Sequence, residues 1–568
     1  EPDTILTTNS NRIMALHHNA YSIFEKGMQI QALADVKSKL EDPLLHRNYG
    51  VTITGDGLTR ISDTVLTSSK AANTYQIQVF PYTNIGSIDN WGQSVVALTS
   101  ELKKISTQKR LLAHYKWWNQ FWDRSFIYIT ARDINERKAA TLVTRGYVLQ
   151  RYMNACAGRG NFPIKFNGSL FTVDTYNRSG EYQGFDADFR AWGGCYWWQN
   201  TRLPYWSMLE AGDFDLMLPL FNMYAKMLPL RMAATQKYYH HEGAFFPETV
   251  NFWGTYPDSD YGCNRVNLPD GYVTNPYIRY YWQSGLELSL MMIDYYLFLQ
   301  DKVFFKTTLL PFVSQILTFN DQHWKQSDKG PLLFDPAQSL ETYQTAVNPL
   351  PEIVGIKVVT EKMLAFPENL IPASTRNQWQ KLLSKLPPIP FRKIGVDTLL
   401  SPAFQYGAQN NVENPELYAV FPYREYIVGK PHLNLALNTY KQRNHKQNIG
   451  WQQNPIQAAY LGLHDEAKRM IVDRFSSWDE NFRFPAFFGP NYDWTPDQCH
   501  GNVAMIALQR MLLQYDNEKI TLLPAWPKEW DVHFRLKLPN KKSYEGIYKN
   551  GVLVEINKRG KSNVKGTR

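Results

Sequence analysis

Cysteine is scarce, and none of Cys156, Cys195, Cys263 and Cys499 stands in a CxxC pair. Scattered cysteines supply neither a zinc framework nor a disulfide scaffold, so they do not set the compartment. No segment reaches the charge-free apolar run of about 18 residues that a membrane helix needs. A Gly-rich phosphate loop, an HExxH helix and a Gly-x-Ser-x-Gly elbow are also missing, which removes the commonest signals of nucleotide cofactors, metallopeptidases and serine hydrolases. No cofactor and no bound metal are therefore expected. Acidic residues are in deficit, 52 Asp plus Glu against 61 Lys plus Arg, for a net charge of +9 and a pI near 9.0. Such a balance favours an anionic partner: nucleic acid, a membrane surface, or an acidic or sulfated polysaccharide. Much of the excess lies in a C-terminal run (Lys541, Lys542, Lys549, Lys558, Arg559, Lys561, Lys565, Arg568). That run reads as a solvated tail, so neither nucleic acid nor a membrane is the expected partner.

Aromatic residues are abundant, with 17 Trp, 34 Tyr and 30 Phe in 568 residues. They suit large cores and flat platforms for sugar rings equally well. A chain of this length holds at least two units with their own cores. In the first hundred residues VTITGDG (51 to 57), TYQIQVFPYT (74 to 83) and SVVALTS (94 to 100) are rich in β-branched and aromatic residues and are read as strands of a β-sandwich-like domain over 1 to 105, which the chain enters part-way. LLAHYKWWNQFWDRS (111 to 125) places Trp117, Trp118, Phe121 and Trp122 at helical spacing, as a helical linker over 106 to 130. From 131 to 516 helical patterns follow one another, several with caps such as Asp133 and Asp213. About a dozen helices joined by long polar and aromatic loops, without alternating strands, predict a mainly α protein built on an (α/α)6 toroid. Strand patterns return in a small C-terminal β domain over 517 to 568, where Asn550-Gly551 marks a hairpin. The chain begins at Glu1, not Met, without a basic and apolar leader, as a mature or truncated chain would.

Chemistry, if present, belongs to the inter-helix loops. FPIKFNGSLFTVD (162 to 174), FDADFRAWGGCYWWQNTR (185 to 202), FFPETVNFWGTYPDSD (245 to 260), DPAQSLETY (335 to 343), ENPELYAVFPYRE (413 to 425) and NYDWTPDQCHGN (491 to 502) each combine proton-transfer groups with stacking faces. Glycoside cleavage needs a carboxylic acid to protonate the leaving oxygen and a second group to activate water or attack.

These loops, in this order, resemble the catalytic domain of glycoside hydrolase family 95, the inverting α-L-fucosidases and α-L-galactosidases, and uncharacterised bacterial relatives of that barrel. HYKWWNQFWDRS looks like its leading helix and WWQNTRLPYW (197 to 206) like its aromatic and amide-rich helix; IGWQQNPIQAAYLGLHDEA (449 to 467), HGNVAMIALQRMLLQ (500 to 514) and ITLLPAWPKEW (520 to 530) look like the last barrel helices and exit. The likeness spans roughly residues 110 to 530. It implies a general acid in a Ser-Pro-Glu-Asn type loop, and QSLETY puts Glu341 there. It implies a base, an Asp just before the last barrel helix, held by amide side chains. Here PDQCHGN is out of register, and Asp497, Asp493 and His500 all stand as candidates, since a His also accepts a proton near neutral pH. Asn167, in FNG, matches an amide-bearing turn and is a candidate for orienting water, though ordinary turn chemistry explains it equally well. The family's His pair before Leu-Tyr-Ala is replaced by Glu413 and Glu416 before LYAVFP.

The remaining candidates for substrate binding are Trp197, Asn200, Arg202, Glu248, Trp253, Glu416, Arg424, Trp451, Asp493 and Trp494. For the Arg residues the competing expectation is a structural clamp on backbone carbonyls. For Glu248 and Trp253 it is loop geometry and helix capping. The expected activity is exo-acting, inverting removal of a terminal sugar from a polysaccharide or oligosaccharide by a secreted or periplasmic protein. Two alternatives stay open: a polysaccharide lyase or sugar dehydratase acting on an acidic glycan, and a glycan-binding protein without activity. Oligomeric state is not legible.

Overall fold

In the computed structural model, residues 3–7, 11–169, 192–326, 330–476, 497–516 and 519–557 are described, and they fall into the compact units Glu1–Gln120 and Phe121–Arg568.

The first unit carries an antiparallel sheet in the order Thr4–Ile5, Arg12–His18, Arg47–Gly55, Ile77–Ile85. SVVALTS, expected as a strand, is instead the middle of the helix Ile88–Lys103. Its β-branched residues suggest sheet, but Trp91, Val95 and Thr99 are buried at spacings of four, which is helical periodicity. The Ser87 hydroxyl accepts from Asn90 N and caps the helix start. Trp91 and Val95 pack on Met14 and Leu16 of the sheet. Gly50 is needed beneath Trp91, since a Cβ there would come within 2.3 Å of the indole.

In the second unit the long helices are Ile134–Ala157, Trp198–Trp206, Phe214–Tyr239, Gln283–Leu299, Leu310–His323, Leu350–Leu364, Ala373–Lys385, His464–Ser476 and Gln498–Leu512. Asp133 caps the first by accepting from Asn135 N. Each helix packs on near neighbours, and Gln498–Leu512 packs back on Ile134–Ala157 and Trp198–Trp206, so the series closes into a helical toroid. Amides span that closure: Asn154 Nδ2 donates to Asn502 Oδ1 at 2.7 Å and Gln150 Nε2 to Gln498 Oε1 at 3.2 Å. Both pairs are buried, where satisfied polar contacts specify which helices meet.

Part of the expected helical linker is a strand. FIYITA forms Phe126–Ala131, which joins Trp530–Leu538, Lys542–Lys549 and Val552–Asn557 in one antiparallel sheet, with Asn550-Gly551 at the expected hairpin. Inside the toroid a small sheet of Ala337–Ser339, Tyr343–Pro349 and Ala403–Tyr406 was likewise not expected. Among the described residues no helix is long and apolar enough to cross a membrane.

Candidate active site

Glu341 occupies the turn between Ala337–Ser339 and Tyr343–Pro349. Leu340 before it is held in the left-handed region at φ +54°, an uncommon conformation for a residue with a branched side chain. Neighbouring segments fix this turn. Gln338 Nε2 donates to Leu340 O and to Tyr277 O, Gln338 Oε1 accepts from Tyr280 N at 2.6 Å, and Asn410 N donates to Thr342 O at 2.7 Å. The Glu341 side chain is buried, only 4% exposed, and Asn411 Nδ2 donates to its Oε2 at 2.5 Å.

Glu341 lines a cavity of about 350 Å³ together with Phe166, Trp192, Trp197, Gln199, Asn200, Asn275, Tyr277, Asn411 and Trp451. Aromatic faces mixed with amides and one carboxyl suit a sugar ring, whose faces are apolar and whose edge bears hydroxyls. Trp197, Asn200 and Trp451 were expected here from the sequence. Asn411 was not, although the amide-rich run QNNVEN around it was a signal.

Glu248 lies behind this wall. The strand pair Tyr196–Trp197 and Thr249–Val250 brings it to the start of the helix Trp198–Trp206, where Gln199 N donates to Glu248 Oε1 at 2.7 Å. Its other oxygen is buried without a hydrogen-bond partner among the described residues. Burial drives the Glu248 carboxyl well above the usual range, and the charge of Glu341 pushes the same way.

On another wall Asn167 forms an isolated antiparallel bridge with Asp497, and Gln498 N donates to Phe166 O at 2.7 Å. Asp497 caps the helix Gln498–Leu512, its Oδ1 accepting from Cys499 N at 2.8 Å. Both polar atoms of the Asn167 side chain are fully buried and lack partners among the described residues. Asn200 touches both parts, lining the cavity and placing Nδ2 3.6 Å from Cys499 Sγ. The segments containing residues 166, 200 and 497 to 500 thus meet beside the cavity that holds Glu341. His500 is buried, and burial with the Arg474 charge keeps its imidazole neutral, well below its ordinary range. Asp493 and Trp494 lie outside the described residues.

Other candidates are placed elsewhere. Arg202 is fully buried, donating through Nη1 to both Glu287 oxygens at 2.9 Å and through Nη2 to Tyr418 Oη at 2.7 Å and Glu413 at 3.3 Å. It is a clamp in the core, not a cavity residue, because every donor is committed to the protein. Arg424 pairs with Asp294 at 2.7 Å, seven residues along the same helix from Glu287 and so about 10 Å further down it. Glu416 faces Arg392 at 3.6 Å, and half-buried Trp253 packs edge-on against Phe252; neither lines the cavity.

Glu413 accepts from Gln453 Nε2 at 2.6 Å and from Tyr418 Oη at 3.1 Å, and burial raises its carboxyl from 4.5 to about 7. The folded chain therefore keeps a proton that the unfolded chain releases between about pH 4.5 and 7. Its contribution to stability is complete below pH 4.5 and is lost as pH rises through 7. Glu413→Gln should flatten the decline of the thermal midpoint between about pH 5 and 8. An unchanged slope would mean that the carboxyl titrates normally.

Residues 185–510, more than half of the sequence, match the glycosyl hydrolase family 95 catalytic domain. The chain belongs to that family. It is a glycoside hydrolase, and its substrate is a carbohydrate. The family 95 match contains Glu341, Glu248 and the Asp497 helix start, while Asn167 precedes it. Residues 1–127 match a domain of unknown function, DUF5703. No curated protein sequence matches the chain. Among solved structures, a candidate kojibiose phosphorylase from the human microbiome is similar at a TM-score of 0.60 and 11% identity, covering 98% of this chain and 76% of that one, which bears on the fold alone. A glycosidase point variant has 12% identity and a TM-score of 0.38 over 67% of this chain and 98% of its own.

Proposed function

We propose that this family 95 enzyme removes a terminal α-L-fucose or α-L-galactose type sugar from an oligosaccharide or polysaccharide, with inversion. Glu341 is the general acid and Asp497, with the Asn167 amide, positions and activates the attacking water. The observation carrying this reading is the buried Glu341 carboxyl in a tryptophan-lined cavity, beside a second buried carboxyl. An acid catalyst needs such a carboxyl held at the edge of a partly apolar cavity, within reach of the leaving oxygen. A cavity of about 350 Å³ suits one or two sugar rings and favours attack at a chain end.

Asp497 is preferred to His500 as base because it stands at the helix start bridged to Asn167, next to the cavity-lining Phe166, whereas His500 lies one turn further into the helix. An elimination route through His500 has less support for the same reason.

Incubation with 2′-fucosyllactose and its α-L-galactosyl counterpart, followed by proton NMR, tests the reaction. The expected first product is the β-anomer of the free sugar. An α-anomer would overturn inversion, and an unsaturated product absorbing in the near ultraviolet would replace hydrolysis by elimination. Asp497→Asn and Asn167→Ala should each lower kcat, on the order of 10²-fold or more for Asp497→Asn, with KM little changed. Full activity in Asp497→Asn would remove it from the mechanism.

A further inference from the structure

Arg474, on the helix His464–Ser476, is fully buried, and its hydrogen bonds to the described residues go to neutral oxygens. Nε donates to Asn448 Oδ1 at 2.7 Å, Nη1 to the carbonyls of Gly450 and His500 at 2.9 Å each, and Nη2 to Gln452 O at 2.8 Å. Two of those carbonyls flank Trp451, which lines the cavity. The third lies in the first turn of the helix that Asp497 caps. One guanidinium thus joins the loop bearing a stacking face to the helix start bearing the water-activating carboxylate. A planar fork with several fixed donors can do this, and a flexible ammonium cannot do it as well.

Burying a guanidinium among neutral oxygens is costly unless a counter-charge lies near. Burial pulls Arg474 down to about 9, opposed first by the charge of Asp497 and then by Cys499. The same field acts in reverse on Asp497. Among the described residues the ionisable groups near this pair are Cys499 and His500 from the Asp497 helix, with Glu341 at the neighbouring cavity and Glu248 behind its wall. The helices Ile134–Ala157 and Trp198–Trp206 present neutral amides there, Gln150, Asn154 and Asn200.

We propose that Arg474 is a positioning residue for the reaction, fixing Trp451 against the Asp497 helix start and holding Asp497 as the carboxylate that activates water. This rests on the reading of Asp497 as base.

The test compares Arg474→Lys and Arg474→Met with the parent enzyme on 2′-fucosyllactose. Arg474→Lys keeps the charge, so kcat should fall while the acid limb of kcat/KM against pH stays in place. Arg474→Met removes the charge whose field Asp497 shares, so that limb should move up. A uniform loss with no shift in either variant would overturn the proposal, leaving Arg474 purely structural. A second measurement does not depend on turnover. In a thermal double-mutant cycle, Asp497→Asn should cost less in the Arg474→Met background than in the parent, and additive losses would likewise overturn it. Full activity in Asp497→Asn sinks the reading of the base itself, whereas a dead Asp497→Asn with an unmoved acid limb in Arg474→Met sinks only the role of Arg474.

Discussion

Glu341→Gln is expected to lower kcat on 2′-fucosyllactose by on the order of 10²–10⁴-fold, with the fold intact. The carboxamide keeps the volume of the buried side chain and can still accept from Asn411 Nδ2, so neither packing nor the hydrogen bond that orients position 341 need be lost. What disappears is the transferable proton. A lactose leaving oxygen departs poorly without protonation, whereas a 2,4-dinitrophenolate departs readily. The loss should therefore be much smaller on the 2,4-dinitrophenyl glycoside of the same sugar. Equal losses on both substrates would assign Glu341 to binding, and no loss on either would move the acid elsewhere, with Glu248 the first alternative because burial raises its carboxyl well above the usual range. Thermal midpoints of the two proteins should agree closely.

The second large effect concerns stability. Arg202→Met should destabilise the toroid by about 3–5 kcal/mol, read as a fall in the urea midpoint, because it strands Glu287 without its cation in a site closed to water. Glu287 also accepts from Trp198 Nε1, Trp206 Nε1 and Gln283 Nε2, so one carboxylate gathers donors from two neighbouring helices and Arg202 supplies its charge balance. Glu287→Gln in the same background should recover part of the loss, since the stranded charge is then gone. A substrate-binding Arg202 would behave in the opposite way: its loss would raise KM and leave the urea midpoint in place.

Much of the toroid was legible because helices announce themselves locally. Apolar spacing and caps such as Asp133 place Ile134–Ala157 or Leu350–Leu364 within a residue or two. What escaped was non-local. FIYITA alternates as a strand should, but the partner that makes it one, Trp530–Leu538, lies some four hundred residues away. SVVALTS failed for a local reason, since two adjacent valines outweighed the spacing of Trp91, Val95 and Thr99. In the site, resemblance of the loop sequences pointed to Glu341 and the 497 to 500 segment. It did not distinguish Trp197, Asn200 and Trp451, which reach the cavity, from Arg202, Arg424 and Glu416, which turn into the protein.

By itself the sequence determined a helical, carbohydrate-directed enzyme and the loops on which its chemistry sits, because helix periodicity and loop chemistry are properties of neighbouring residues. Only the tertiary structure decided which of the polar side chains line the cavity and which are spent on one another. A carboxyl at 341 or 413 and a guanidinium at 202 or 424 look alike along the chain. Their roles follow from which partner shares their low-dielectric surroundings, and closure of the ring assembles that set from segments hundreds of residues apart.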